Sequence, residues 1–201
     1  MATAELEVFS TAPPAPPARP RVLLIGSALA SGSAAMLVLA LVGQYARLRS
    51  DVIAGGSSWL PQEAHVGLTP GNMGMVTLTM SLVTVAWIVQ ALRNEDRTHA
   101  LIAFAVTLLL GAAFINVTVF GWQQLGLGVA SSTPALLIYT VTGLVVAMVG
   151  VGMLFLTVMA FRALGGQLTG RSAEGVVAAV LFWYVTVAVY AVVWYTVTIT
   201  K

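Results

Sequence analysis

Cysteine is absent from the chain and charge is scarce: nine Lys or Arg and seven Asp or Glu make up 8% of 201 residues. The first absence excludes disulfides, thiolate metal sites and a cysteine nucleophile. It says nothing about compartment, because helices held in lipid need no covalent staple. The second excludes a water-soluble globular domain, in which roughly 25% of residues carry charge. No Asp, Glu, Lys or Arg occurs in Val22–Ala46, Val66–Leu92, Ala100–Phe161 or Gly175–Thr200. Histidine is limited to His65 and His99. Neither has a second histidine three or four residues away, so a haem or metal site built from this chain alone is not expected. Serine and threonine are plentiful, yet no carboxylate, lysine or histidine lies inside an apolar run to activate one. Ionisable groups at membrane depth mark ion paths and ligand sites, and here there are none. A net charge of +2 is too small a bias to argue for nucleic acid.

What the chain does have is apolar length. Hydrophobic residues make up 59% of it, and the mean hydropathy is +0.94. A helix needs about 20 apolar residues to cross a bilayer. The uncharged runs supply crossings over about 22–46 and 69–92. The longest run divides at Gln123–Pro134, where glycines, serines, glutamines and a proline favour a loop. Pro134 suits the first turn of the next helix. Crossings over 99–122, 134–164 and 174–200 complete an all-α membrane protein, a bundle of five transmembrane helices in one domain, 21–201.

Basic residues favour cytoplasmic loops. With the N-terminus inside, Arg19, Arg21, Arg93, Arg97, Arg162 and Arg171 lie inside, against Arg47, Arg49 and Lys201 outside, so the expected topology is N-in and C-out. Residues 1–20, Pro-rich at Ala12–Pro20, read as a cytoplasmic arm without packed structure. Ala28-Leu29-Ala30 resembles a cleavage triplet, but the leader is acidic at Glu5 and Glu7 and the apolar run continues past it, so cleavage is not expected. Residues 48–68, with Trp59 and Pro61, read as the longest external loop.

Small residues recur at Gly26, Ser27, Ala30, Ser31, Ala34 and Ala35 in the first helix and at Gly143, Ala147, Gly150 and Gly152 in the fourth. Such faces let backbones approach closely in lipid; they serve packing within the bundle or contact with another subunit. Asn116, with Thr118 beside it, is a candidate for hydrogen bonding across helices. Trp59, Trp122 and Trp194-Tyr195 fall near the expected outer boundary, and Trp87 and Trp183 toward the inner one, positions suited to interfacial anchors.

The order of these features resembles subunit III of haem–copper (cytochrome c type) oxidases in the short bacterial five-helix form. The frame that carries the resemblance runs through Ser33, Tyr45 and Arg49 in the first helix; Asn72, Ser81 and Thr84 in the second; Gly111, Phe114 and Trp122 in the third; Tyr139, Thr142 and Gly143 in the fourth; and Trp183 in the fifth. The chain departs from the family pattern where that pattern carries ionisable or amide groups. Ala34, Thr118, Gly121, Val145, Met148, Tyr184 and Val187 stand at those positions, so a divergent member is implied.

The resemblance implies an accessory, non-redox subunit of a proton-pumping terminal oxidase in the bacterial inner membrane, acting in the electron transport of aerobic respiration. Haem and copper are then expected in the partner, catalytic subunit I, and none in this chain. Other oxidase subunits and membrane lipid are the remaining implied partners, with phospholipid held in a cleft. Arg93, Arg97 and Trp87 are candidate headgroup contacts, since arginine pairs with phosphate oxygens; their other reading is as orientation determinants. Two alternatives stay open: a stand-alone membrane scaffold, and a small transporter with a polar, water-accessible cavity near Asn116 and Thr118.

Overall fold

Each apolar run forms a helix. The computed structural model describes residues 21–61, 66–166 and 174–200. Its elements are α1 (Val22–Ala54), α2 (Leu68–Arg93), α3 (Arg97–Gln124), α4 (Thr133–Leu164) and α5 (Glu174–Trp194), the last continued by a π-helical turn, Tyr195–Ile199. All five are long and apolar enough to cross a membrane, and no strand occurs among the described residues. The arm at 1–20, His65, Arg171 and Lys201 lie outside the described residues.

The helix ends have local causes. Asp96 caps α3 by accepting the His99 N–H at 3.1 Å, so the helix starts at Arg97 rather than at the expected 99. Ser132 caps α4 through the Ala135 N–H at 3.4 Å, with Pro134 in the first turn. The largest departure from expectation is at α1, which runs on through Leu48–Ala54, a segment expected to be loop. Arg47, Arg49 and Asp51 mark where the chain leaves the apolar run without breaking the helix. At 33 residues, α1 is about 50 Å long, against about 30 Å of hydrocarbon, so its last turns project beyond lipid.

The helices alternate in direction, with α2 and α4 antiparallel to the other three. One end of the bundle, here called proximal, carries the start of α1 and the α2–α3 turn; the distal end carries the α1–α2 and α3–α4 connections. α5 is the hub. It packs on α1, α2 and α4, and 61% of its apolar stretch is buried against 17% of that of α1. Ser27 Oγ of α1 donates to the Ala178 carbonyl of α5 at 2.7 Å; the small face of α1 thus lets two parallel backbones approach. Gly26 and Ala30 on the same helix face outward.

Candidate functional site

Mid-bundle, the side chain of Trp183 from α5 reaches three other helices. It is 0% exposed. Its indole N–H donates to Ser81 Oγ of α2 at 2.9 Å, and its ring lies against Gly111 of α3 and Gly152 of α4. Only glycine leaves room there: a Cβ on Gly152 would fall 2.9 Å from Trp183 Cε3. Ser81 passes its own proton to the Leu78 carbonyl at 2.6 Å. One turn along, Thr84 of α2 and Thr107 of α3 share a hydrogen bond of 2.8 Å. Each hydroxyl also lies within reach of a carbonyl of its own helix, Thr107 of Ala103 and Thr84 of Ser81, so one of the pair donates across while the other donates along its helix. These buried polar groups are neutral and paired. They can hold helices together.

At the distal end, Trp122 Nε1 of α3 donates to Thr142 Oγ1 of α4 at 2.9 Å. The Tyr139 hydroxyl lies 3.2 Å from the Trp122 carbonyl and 3.0 Å from that of Leu127, tying α4 to the α3–α4 connection. Phe114 meets Tyr190 of α5 edge-to-face with ring centroids 4.7 Å apart, and Trp194 Nε1 donates to Asn72 Oδ1 at 3.0 Å. Beyond them the α1–α2 connection folds back. Trp59 packs edge-on against Tyr45 at 5.3 Å and donates its N–H to the Tyr45 hydroxyl at 3.1 Å. Arg49 lies half-buried nearby, its buried Nε without an acceptor among the described residues.

The proximal end holds the remaining charges. Arg97 Nη2 donates to the carbonyls of Ala163 and Leu164 at 2.9 and 3.2 Å. It thereby supplies the cation and donors that a helix C-terminus lacks. Glu174 Oε1 accepts the Leu24 N–H at 3.2 Å, joining the first turns of α5 and α1. His99 Nδ1 sits 2.6 Å from Asp96 Oδ2. The backbone N–H of His99 and then its imidazole hold the Asp96 carboxyl below its ordinary value. Trp87 is 38% exposed, its ring 6.0 Å from that of His99; Arg93 is exposed.

Several residues singled out from sequence thus meet. Gly111 joins Trp183; Trp122 joins Tyr139 and Thr142, with Gly143 alongside; Tyr45 joins Arg49. Others do not. Ser33 points outward and donates to the Leu29 carbonyl of its own helix. Asn116 also points outward, with no side-chain hydrogen bond to a described residue. Trp183 and Trp59 are buried rather than interfacial, Trp59 being 7% exposed. Sequence reading passed over Thr107 and Tyr190. Thr107 carried a usable signal, since it precedes Gly111 and Phe114 by one and two helical turns and so shares their face. Among the described residues, no group of three His, Asp or Glu could hold a metal.

Comparison with known proteins bears directly on this arrangement. The model of the family cytochrome c oxidase subunit III matches residues 24–200. The chain belongs to the cytochrome c oxidase subunit III family. It is also similar to cytochrome c oxidase subunit 3 of Coturnix japonica, 26% identical over 135 residues, which cover 64% of this chain and 50% of that protein. The chain thus spans about half the length of that relative. The match includes all five helices of the frame just described. The Trp183 layer and the Trp122–Tyr139–Thr142 clasp are how this member of the family holds that frame together.

Proposed function

We propose that this chain is the accessory, non-redox subunit III of a respiratory haem–copper oxidase. It packs beside the catalytic subunit, stabilises it and holds lipid at the junction. Haem and copper belong to that partner. The family match across the whole helical domain carries this reading. The neutral, hydrogen-bonded interior supports it from the chemical side: with no carboxylate, lysine or histidine at depth, the chain offers its partner mechanical support. Lipid is proposed at the proximal face, where Arg93 and Trp87 are exposed. Arg97 is largely committed to α4 and contributes there mainly as charge. The shallow apolar groove of about 300 Å³ between α1 and α4, over Phe182, suits an acyl chain.

The proposed setting is the bacterial cytoplasmic membrane with the proximal end cytoplasmic. Arg21, Arg93, Arg97 and Arg162 gather at that end against Arg47 and Arg49 at the other. A transporter fits less well: Asn116 faces outward, and the cavity beside Thr118 is only about 80 Å³ and stays at the distal end.

The test is purification of the tagged full chain in mild detergent. Co-elution of a haem-bearing subunit, read from a reduced-minus-oxidised spectrum, is the expected result. A colourless chain running alone would overturn the reading. Because the sequence has no cysteine, single replacements Ser57→Cys and Asn94→Cys report the topology directly. In intact cells an impermeant maleimide should label the first and spare the second.

A further inference from the structure

At the distal end, α2, α3, α4 and the last turns of the α5 rod leave a cavity of about 80 Å³ between them. Its polar lining sorts by what each group has left to offer. Thr118 Oγ1 donates to the Phe114 carbonyl at 2.9 Å and Thr142 Oγ1 to that of Ile138 at 2.6 Å. The Tyr190 hydroxyl donates to the Gly71 carbonyl at 3.3 Å. Each has given its single proton to the backbone and keeps only lone pairs.

Thr198 behaves differently. Thr196 and Thr200 on either side return their hydroxyls to helix carbonyls, at 2.9 and 2.7 Å. Thr198, in the π-helical turn, lines the cavity, is 7% exposed and makes no side-chain hydrogen bond to a described residue. Its hydroxyl is open to the cavity and lacks a protein partner there among the described residues, and π-helical turns recur at functional sites.

The cavity therefore presents one free side-chain donor, several acceptors and no charged side chain, with the uncapped first turn of α2 at Gly67 and Gly71 adding backbone N–H groups. A phosphate, carboxylate or lipid ester oxygen only accepts; it would leave the lone pairs of Thr118, Thr142 and Tyr190 facing another acceptor. An apolar group would leave Thr198 unsatisfied. A small molecule that both donates twice and accepts satisfies the whole lining. We propose that this cavity is a hydration site holding about two or three water molecules, at about 30 Å³ each. They bridge Thr198 of α5 to the hydroxyl oxygens of Thr118, Thr142 and Tyr190. The distal ends of the helices are then joined through water as the middle of the bundle is joined through Trp183.

Radiolytic hydroxyl labelling of the full chain in lipid nanodiscs, in ¹⁸O water, tests this, because side chains beside bound water are oxidised even when buried. Tyr190 is only 6% exposed, yet it should label far faster than Phe104 and Trp183, at 1% and 0%. Thr198→Val should lower Tyr190 labelling roughly fivefold, the occupancy carried by one hydrogen bond. Exposed Tyr184 and Tyr195 should be unchanged, and Thr198→Ser should keep the wild-type rate. A Tyr190 as unreactive as Phe104 in the wild-type protein means a dry or lipid-filled cavity and overturns the proposal. So does labelling that Thr198→Val leaves intact. Should Thr198→Val not assemble, the wild-type comparison with Phe104 decides alone.

Discussion

Replacing Gly152 with alanine would drive a methyl group into Trp183. The new Cβ would lie 2.9 Å from Cε3 and 3.2 Å from Cζ3, with Phe182 Cδ1 next at 3.5 Å. The indole has nowhere to go. Its N–H is held by Ser81 at 2.9 Å, and its far edge already lies 3.1 Å from where a Cβ on Gly111 would stand. Overpacking of this kind costs about 1–3 kcal/mol. Gly111→Ala should cost less, because the nearest atom to its Cβ is Met153 Sδ at 2.9 Å, and a thioether arm can swing aside. Trp183→Phe alone should cost about 1–2 kcal/mol, from the void and the lost bond to Ser81. The pair is the decisive variant. With the indole's second ring gone, the methyl group has space, so Gly152→Ala in the Trp183→Phe background should be nearly free. The two changes should couple by about 1 kcal/mol or more, beyond the 0.3–0.5 kcal/mol scatter of independent sites. Unfolding in dodecyl maltoside micelles with increasing SDS, read by pulse proteolysis, measures all four proteins. Additive losses would refute the claim that Trp183 is wedged between the two glycines.

Three further outcomes follow from contacts at the bundle's ends. Tyr45→Phe removes the acceptor of the buried Trp59 N–H, at a local cost of about 1–3 kcal/mol; proteolysis of the α1–α2 connection should accelerate while global unfolding changes less. Arg97→Met removes the donors to Ala163 and Leu164 at the end of α4. In an exposed setting this should cost about 1 kcal/mol, and Arg97→Lys should restore only part in the same SDS titration, because a lysine cannot reproduce the planar fork. The third concerns acid. The folded Asp96 carboxyl titrates below its ordinary value, so its cap is fully present above the unfolded value of about 3.9. The contribution is lost as pH falls through the depressed folded value. Exchange protection of the His99 amide, relative to Asp96→Asn at each pH, should drop on acidification and stay flat above neutrality.

The number of helices was legible because charge is forbidden at depth: where Asp, Glu, Lys and Arg stop, lipid starts. Helix ends were less so. Arg47, Arg49 and Asp51 end an apolar run but are acceptable in helix, so α1 overran its expected end by two turns. Facing was the least legible property. In a water-soluble helix the polar stripe reveals the outside, whereas these helices are apolar all round, and nothing in the sequence told Asn116 to face outward. Tryptophan misled for a related reason. Its general preference for interfaces does not distinguish Trp87, which is exposed, from Trp183, which finds in Ser81 a partner three helices away in chain order. Gly111, Phe114, Trp122, Tyr139, Thr142 and Trp183 could each be singled out from the sequence; the contacts that place them in the Trp183 layer or at the distal end could not.

The position of α5 carries a consequence for biogenesis. The rod that the others gather around is the last of the five to leave the ribosome. Until it enters, α2 has no anchor for Ser81, α4 has an empty slot at Gly152, and α1 has nothing beneath Ser27. Assembly during translation therefore stops short of the finished bundle: α2, α3 and α4 can pair as they enter, through Thr84–Thr107 and Trp122–Thr142. Until the final segment arrives, the slot for Trp183 stays unfilled and α1 lacks its main partner.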